Sequence, residues 1–156
     1  MRLRPFQPSD LSAITHLFYE TVHSVTAKDY TQEQREAWAP ASMFKNESSW
    51  FESLTRNDTF VVEDGARVVG FIDISAEGYL DRLFVHKDYQ RQGVATQLLK
   101  AAEAKMEERG IDIITTEVSI TAKAFFEHHG FKVVKDQVVY KNGVGLRSFK
   151  MEKHSS

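Results

Sequence analysis

The sequence predicts an α/β protein, a mixed β-sheet covered by helices, and three observations carry that prediction. Apolar residues recur at three- and four-residue steps in some stretches and as short β-branched runs in others. Two dipeptides, Asp64-Gly65 and Asn142-Gly143, each join a pair of such runs in the manner of a tight hairpin turn. Between residues 85 and 111 a helical stripe separates two further runs, which makes a β-α-β crossover in an otherwise antiparallel meander.

The elements follow in order. Leu3 and Phe6 suggest a short opening strand, stopped by Pro5 and Pro8. Leu11, Ile14, Phe18, Val22 and Val25 form the stripe of an amphipathic helix, with Ser9 as its cap. Thr31, followed three residues later by Gln34, reads as a capping box for a second short helix that ends near Trp38, before Pro40. A third helical piece covers about residues 46–56. Strands are expected at 60–62, 68–72 and 80–85. Val94, Leu98, Ala102 and Met106 then mark a helix over about 93–109, closed by Gly110. A strand at 111–118, a short helix at 122–128 ended by Gly130, and strands at 131–140 and 144–151 complete the order β-α-α-α-β-β-β-α-β-α-β-β.

Composition bounds the function. The 156 residues suit one domain, placed at 1–152, with 153–156 as a polar, frayed tail. Apolar residues make up 42% of the chain and aromatic ones 12%, enough to fill a core. Twenty basic residues against 22 acidic ones leave no electrostatic footprint for wrapping nucleic acid. With no cysteine, disulfides, thiolate metal sites and an acyl-cysteine intermediate are excluded. No apolar run approaches the ~20 residues of a membrane span, and the start MRLRPFQPSD carries no signal-peptide stretch, so a cytoplasmic protein is expected.

The most informative stretch is Leu83-Phe84-Val85, a polar turn, then Gln90-Arg91-Gln92-Gly93-Val94-Ala95 opening a helix. A strand that enters a turn and then a helix leaves backbone N–H groups unpaired at the helix start. With the macrodipole they make an anion seat suited to phosphate. Gly93 removes a β-carbon where backbone would approach a ligand, Ala95 stays small, and Arg91 adds positive charge at the rim. No carboxylate lies between Tyr89 and Lys100. A glycine easing a strand-to-helix turn is the plainer reading of the same residues.

The segment YLDRLFVHKDYQRQGVATQLL resembles the coenzyme A binding motif of the GCN5-related N-acetyltransferases, and TEVSITAKAFFEHHGF resembles the family's second motif. The element order matches over nearly the whole chain. Within the family the chain looks most like the bacterial YafP-type branch, on VVYKNGVGLRSFKMEK. The resemblance implies a mostly antiparallel seven-stranded sheet flanked by helices on both faces. It implies an acetyltransferase that moves acetyl from acetyl-CoA to a primary amine of a small molecule or peptide, by direct attack in a ternary complex and without a metal. Backbone groups of Leu83, Phe84 and Val85 would pair with the pantetheine arm like an added strand. Backbone N–H groups of Gln90, Arg91, Gln92, Gly93, Val94, Ala95 and Thr96 would hold the pyrophosphate. Family members are often dimers, so a homodimer is the assembly implied, though no sequence feature fixes one.

One departure stands out. Members often carry a tyrosine in the short helix of the second motif, placed to protonate the leaving thiolate, and Phe126 occupies that cofactor-facing position here. Another group or water would then act, or the thiolate leaves as such, since a free thiol titrates near ~8.5. If the thiolate never leaves at all, the chain is a CoA-binding module with little turnover. Ser119 matches a frequent asparagine and could bond the pantetheine or cap the helix.

Strand alternation places Tyr79, Asp81, Leu83 and Val85 on one face of the cofactor strand. A carboxylate midway along a central strand is costly unless paired or functional, so Asp81 is the first candidate for base or amine binder, with a salt bridge as the rival. Tyr79 and Glu117 are the second candidates. Tyr19, Tyr30 and Trp38 fall in the region that shapes the acceptor site in the family, and they either build an apolar pocket or fill the core. His23 is an acceptor-pocket candidate or a packing residue. His16 shares its side of the helix, but no further metal ligand is evident.

Overall fold

The computed structural model describes residues 1–155. In chain order the strands are β1 (Arg2–Pro5), β2 (Asp58–Asp64), β3 (Arg67–Ile74), β4 (Tyr79–Val85), β5 (Ile113–Ser119), β6 (Lys132–Lys141) and β7 (Val144–His154). The helices are α1 (Leu11–Ser24), α2 (Gln32–Trp38), α3 (Ser48–Arg56), α4 (Val94–Glu108) and α5 (Lys123–His128). The strands form one sheet in the order β1-β2-β3-β4-β5-β7-β6. Only β4 and β5 run parallel; every other neighbouring pair is antiparallel.

Two apolar layers sandwich the sheet. On one face Ile14, Leu17, Phe18 and Val22 of α1 and Leu54 of α3 pack on Val61, Val68 and Phe71. On the other, Val94, Leu98, Leu99, Ala102 and Met106 of α4 and Phe126 of α5 pack on Val62, Ile72, Ile74, Leu80 and Val85. Gly70 sets how closely α4 approaches: a β-carbon there would stand 2.8 Å from Val94 Cγ1 and 3.0 Å from Leu98 Cδ1. The hairpin expected at Asp64-Gly65 forms, with its turn on residues 65–66 because Asp64 still pairs with Arg67; two other local signals appear as expected. Thr31 Oγ1 accepts the Gln34 N–H (3.2 Å) and Gln34 Oε1 accepts the Thr31 N–H (2.8 Å), a complete capping box. Asn142 and Gly143 both have positive φ, 48° and 80°, as a type I′ hairpin turn requires.

Strand β1 ends at Pro5, as expected; this last residue pairs with Phe60, which an edge strand tolerates because one side of its backbone faces no partner. Two expectations give way. The cap of α1 is not Ser9: residues 8–10 form a 3-10 turn, and Asp10 stands at the N-cap position. The tail is not frayed at Lys153 or His154. Both belong to β7, where His154 pairs with Ile113 and Lys153 with Ile114, and Lys153 Nζ donates to Glu103 (2.6 Å). Ser156 lies outside the described residues.

Candidate active site

The site begins where the parallel pair comes apart. β4 and β5 share only the pairs Tyr79↔Thr115 and Leu80↔Thr116, and the Thr116 hydroxyl donates to the Leu80 carbonyl (2.8 Å) at the crotch. Beyond it the strands diverge around a cleft of about 680 Å³, bordered by Leu83, Phe84 and Val85 on one side and Glu117, Val118 and Ser119 on the other. A parted strand pair leaves backbone edges free to receive an extended ligand.

A β-bulge changes the faces of β4. Arg82 pairs with Asp73 and Leu80 with Ile74, so Asp81 has no partner on β3. The extra residue inverts the alternation. Leu80, Leu83 and Val85 all pack under α4, while Phe84 packs with α1. The expectation that Tyr79 and Asp81 share a face with Leu83 and Val85 is therefore corrected. Asp81 is also not buried: its side chain keeps 39% of its exposure, borders the cleft and lies 3.6 Å from Arg82.

The buried carboxylate is its neighbour across the sheet. Asp73 is fully buried and accepts from Arg82 Nε (3.0 Å), Arg82 Nη2 (2.5 Å) and Asn57 Nδ2 (3.0 Å). Burial pushes this carboxyl upward and Arg82 pulls it back. Arg82 also lies over the Trp50 ring, 4.3 Å from its centroid, and donates to Ser53. Sequence reasoning did not single out either residue, although an aspartate inside the apolar run Val68–Ile74 was a signal that could have been followed. Tyr79 borders the same end of the cleft. Its hydroxyl is pushed up to about 12, first by burial and then by the negative charge of Glu117 and Asp81. The three sequence-derived catalytic candidates thus share one corner.

From β4 the chain turns through a 3-10 turn and Gln90 into α4. Arg91 (φ 60°) and Gly93 (φ 80°) adopt left-handed conformations. A β-carbon at Gly93 would meet no atom within 4 Å, so its φ, and not crowding inside the protein, is what demands glycine. No side chain caps α4 and no acidic residue occupies its first turn. Arg91, Gln92 and Gly93 are exposed, and Val94 is buried. The Gln90 side chain folds back to donate to the Val85 carbonyl (2.7 Å), which also accepts from Thr21 Oγ1 (3.2 Å). Thr96 Oγ1 lies 3.2 Å from His129 Nε2. Ala95 borders the cleft.

The family model of the acetyltransferase (GNAT) domain matches residues 26–155. The chain belongs to the GNAT acetyltransferases. It is 36% identical over 151 residues to the uncharacterized N-acetyltransferase YafP of Escherichia coli, covering 97% of this chain and 94% of YafP. The crystal structure of a GCN5-related N-acetyltransferase from Rhodopseudomonas palustris superposes with a TM-score of 0.93 at 32% identity, covering 98% of this chain and 94% of that one. The PaiA N-acetyltransferase of Thermoplasma acidophilum, a complex with coenzyme A, shares the fold at a TM-score of 0.80 and 22% identity, covering 98% of each chain.

Against this GNAT frame the remaining candidates separate. Tyr30 and Trp38 border the cleft with Phe18, Trp50 and Phe84. Tyr30 is nonetheless a structural pin. Its hydroxyl donates to the Arg147 carbonyl (2.6 Å) and accepts the Ile120 N–H (2.9 Å), tying the start of α2 to β7 and to the end of β5. Tyr19 and His23 do not border the cleft. Their rings pack at a tilt with centroids 4.4 Å apart, Tyr19 also meets Phe44, and His23 Nε2 is 2.7 Å from the Ala39 carbonyl. Ser119 Oγ accepts the Ala122 N–H (3.1 Å), capping the turn into α5. Phe126 is 3% exposed and packs edge-on against Phe125 and Phe131.

Proposed function

We propose that the enzyme transfers an acetyl group from acetyl-CoA to a primary amine of a small molecule or peptide, by direct attack while both are bound. The observation that carries this reading is the fork: β4 and β5 part after Leu80, and the chain leaving β4 leads through one turn into the uncapped, acid-free start of α4. The chemistry of the seat suits a diphosphate, since unpaired N–H groups and the helix dipole favour anions, Arg91 adds a cation and the space over Gly93 is open. Leu83 and Phe84 offer the free strand edge for the pantetheine. The relative crystallised with coenzyme A is consistent with this donor.

The donor brings the acetyl group as a thioester. The chain's own residues orient the amine and manage its proton. Asp81 and Glu117 border the place where the ammonium would sit, and Asp81, partly exposed at the cleft, accepts its proton so that the free amine can attack. Tyr79 stays protonated at neutral pH, so it donates a hydrogen bond and is not the base. As the new C–N bond forms the C–S bond breaks, the electron pair leaves on sulfur, and the second proton of the attacking nitrogen passes through solvent to the departing thiolate, giving the neutral amide and the CoA thiol. Phe126 supplies no proton to the sulfur.

The test is release of CoA thiol from acetyl-CoA across a panel of amines, with calorimetry of CoA binding alongside. Thiol release that depends on an amine supports the transferase. A second reading, a CoA-binding module with little turnover, is favoured by the buried phenyl ring of Phe126. It predicts CoA binding with no amine-dependent release. Absence of CoA binding removes the donor from both readings.

A further inference from the structure

His86 is the first residue after β4 and the N-cap of the 3-10 turn at Lys87–Tyr89 that leads into the loop. Its side chain is almost completely buried, unusual for a residue at the root of an exposed loop. Two donors converge on the imidazole. The Asp88 N–H points at Nδ1 (3.1 Å), and Arg67 Nη2 stands 2.6 Å from Nε2. Glu20 Oε2 is 3.5 Å from Nε2, the Asp88 carboxylate 3.8 Å from Nδ1, and the Tyr89 ring packs edge-on at 5.8 Å.

A neutral imidazole has one accepting nitrogen, so it cannot serve both donors. The Asp88 N–H is fixed by the backbone of the turn, whereas Arg67 is exposed and its guanidinium can swing to solvent. On this ground the accepting nitrogen is assigned to Nδ1, which puts the ring proton on Nε2, the nitrogen on the side of Glu20. Other ties hold the same turn. The Tyr89 N–H donates to the His86 carbonyl (2.9 Å), the Tyr89 hydroxyl to Asp64 on the β2–β3 hairpin (2.8 Å), and Gln90 to Val85. Among the side chains that make these ties that of His86 is the buried one, and Arg91 and Gly93, both left-handed, follow within seven residues.

We propose that His86 is a positioning residue for the diphosphate of the donor, its Nδ1 cap fixing the turn that sets the path of residues 90–93; the inference rests on the acetyl-CoA reading above. Two isosteric variants separate the nitrogens. In His86→Asn the amide oxygen sits where Nδ1 was and keeps the cap. In His86→Gln it reaches the place of Nε2, meeting Arg67 and leaving the Asp88 N–H without a partner. Losing a cap is worth roughly a three- to tenfold change in an equilibrium constant.

The experiment is calorimetric titration of each folded full-length variant with CoA, and an NMR titration with pantetheine, which lacks every phosphate. The expected result is a three- to tenfold weaker CoA dissociation constant in His86→Gln, near wild-type CoA affinity in His86→Asn, and unchanged pantetheine binding in both. Equal CoA affinity in all three proteins overturns the proposal. So does a loss shared by both variants, or one that pantetheine also shows, since the effect is then general and not aimed at the phosphates. A wild-type protein that binds no CoA overturns the donor reading and this proposal with it. CoA binding insensitive to His86→Gln overturns this proposal alone.

Discussion

Gly93 allows backbone strain and phosphate recognition to be measured separately. Its φ of 80° lies where an L-residue pays about 1 kcal/mol, and nothing stands within 4 Å of an added β-carbon, so that strain is the whole cost of Gly93→Ala to the free protein. The melting temperature should fall by roughly 2–4 °C. Gly93→Asp adds a negative charge. At about 5 Å from a diphosphate, in the high effective dielectric of an exposed turn, each phosphate charge repels it by about 1 kcal/mol. Two such charges amount to about 2 kcal/mol, close to a thirtyfold loss of CoA affinity. The assay is calorimetry with CoA at two salt concentrations, after thermal melts have shown that both variants are folded. Gly93→Ala should weaken CoA by a few-fold at most, and the extra loss in Gly93→Asp should shrink at high salt, where the Debye length contracts. Equal losses in the two variants, or a loss in Gly93→Asp that salt leaves unchanged, would refute a phosphate seat at this turn.

Three further outcomes follow from the corner of the fork and from the opposite end of the sheet. Asp81→Asn should lower amine-dependent turnover by about a hundredfold while CoA affinity holds, as expected of a lost proton acceptor, and steady-state rates beside calorimetry check both halves. Asp73→Ala leaves the Arg82 guanidinium, 14% exposed, without its buried counter-charge. That should cost about 3 kcal/mol, the low end for a broken buried pair because Asp81 remains 3.6 Å away, and a thermal melt should register a fall of roughly 6–12 °C. Asp10 gives the pH dependence. Burial pushes its carboxyl up, but Arg4 and the Gln7 N–H outweigh burial and hold it below the ordinary 3.8. Its stabilisation is therefore complete well above 3.8 and is lost as pH falls through the lowered folded value; Asp10→Asn should flatten the acid limb of stability below pH 4, read by urea melts.

What the sequence made legible was governed by local rules. The α4 stripe, the Thr31–Gln34 capping box and the Asn142-Gly143 turn each depend on residues within a few positions of one another, and each appears as expected. What stayed hidden depends on pairing across distance. The strand at Asp81 has ordinary composition, and only its register against β3 creates the bulge. Arg82 meets Asp73 across that register, Tyr30 meets Arg147 and Ile120 across 117 and 90 positions of chain, and the end of β7 is held by β5 and Glu103. Tyr19 and His23 fall in the expected region of the chain and still miss the cleft, because they occupy the side of α1 turned toward Phe44 and Ala39.

The bulge also explains how one strand serves two incompatible demands. Phe84 must pack with α1 and Leu83 with α4, which fixes the faces of β4 beyond residue 82. Leu80 must pack with α4 as well, three positions before Leu83, and regular alternation would send it to the opposite face. One extra residue reconciles the two halves, and that residue is Asp81. The carboxylate at the extra position is released from pairing with β3 and turned to the cleft, while Arg82, next in line, is drawn to Asp73 and Trp50. The core thus determines where the acidic corner stands. Substitutions that shift the packing of Leu80 or Leu83 should therefore disturb catalysis through the orientation of Asp81, even though neither side chain carries any of the chemistry.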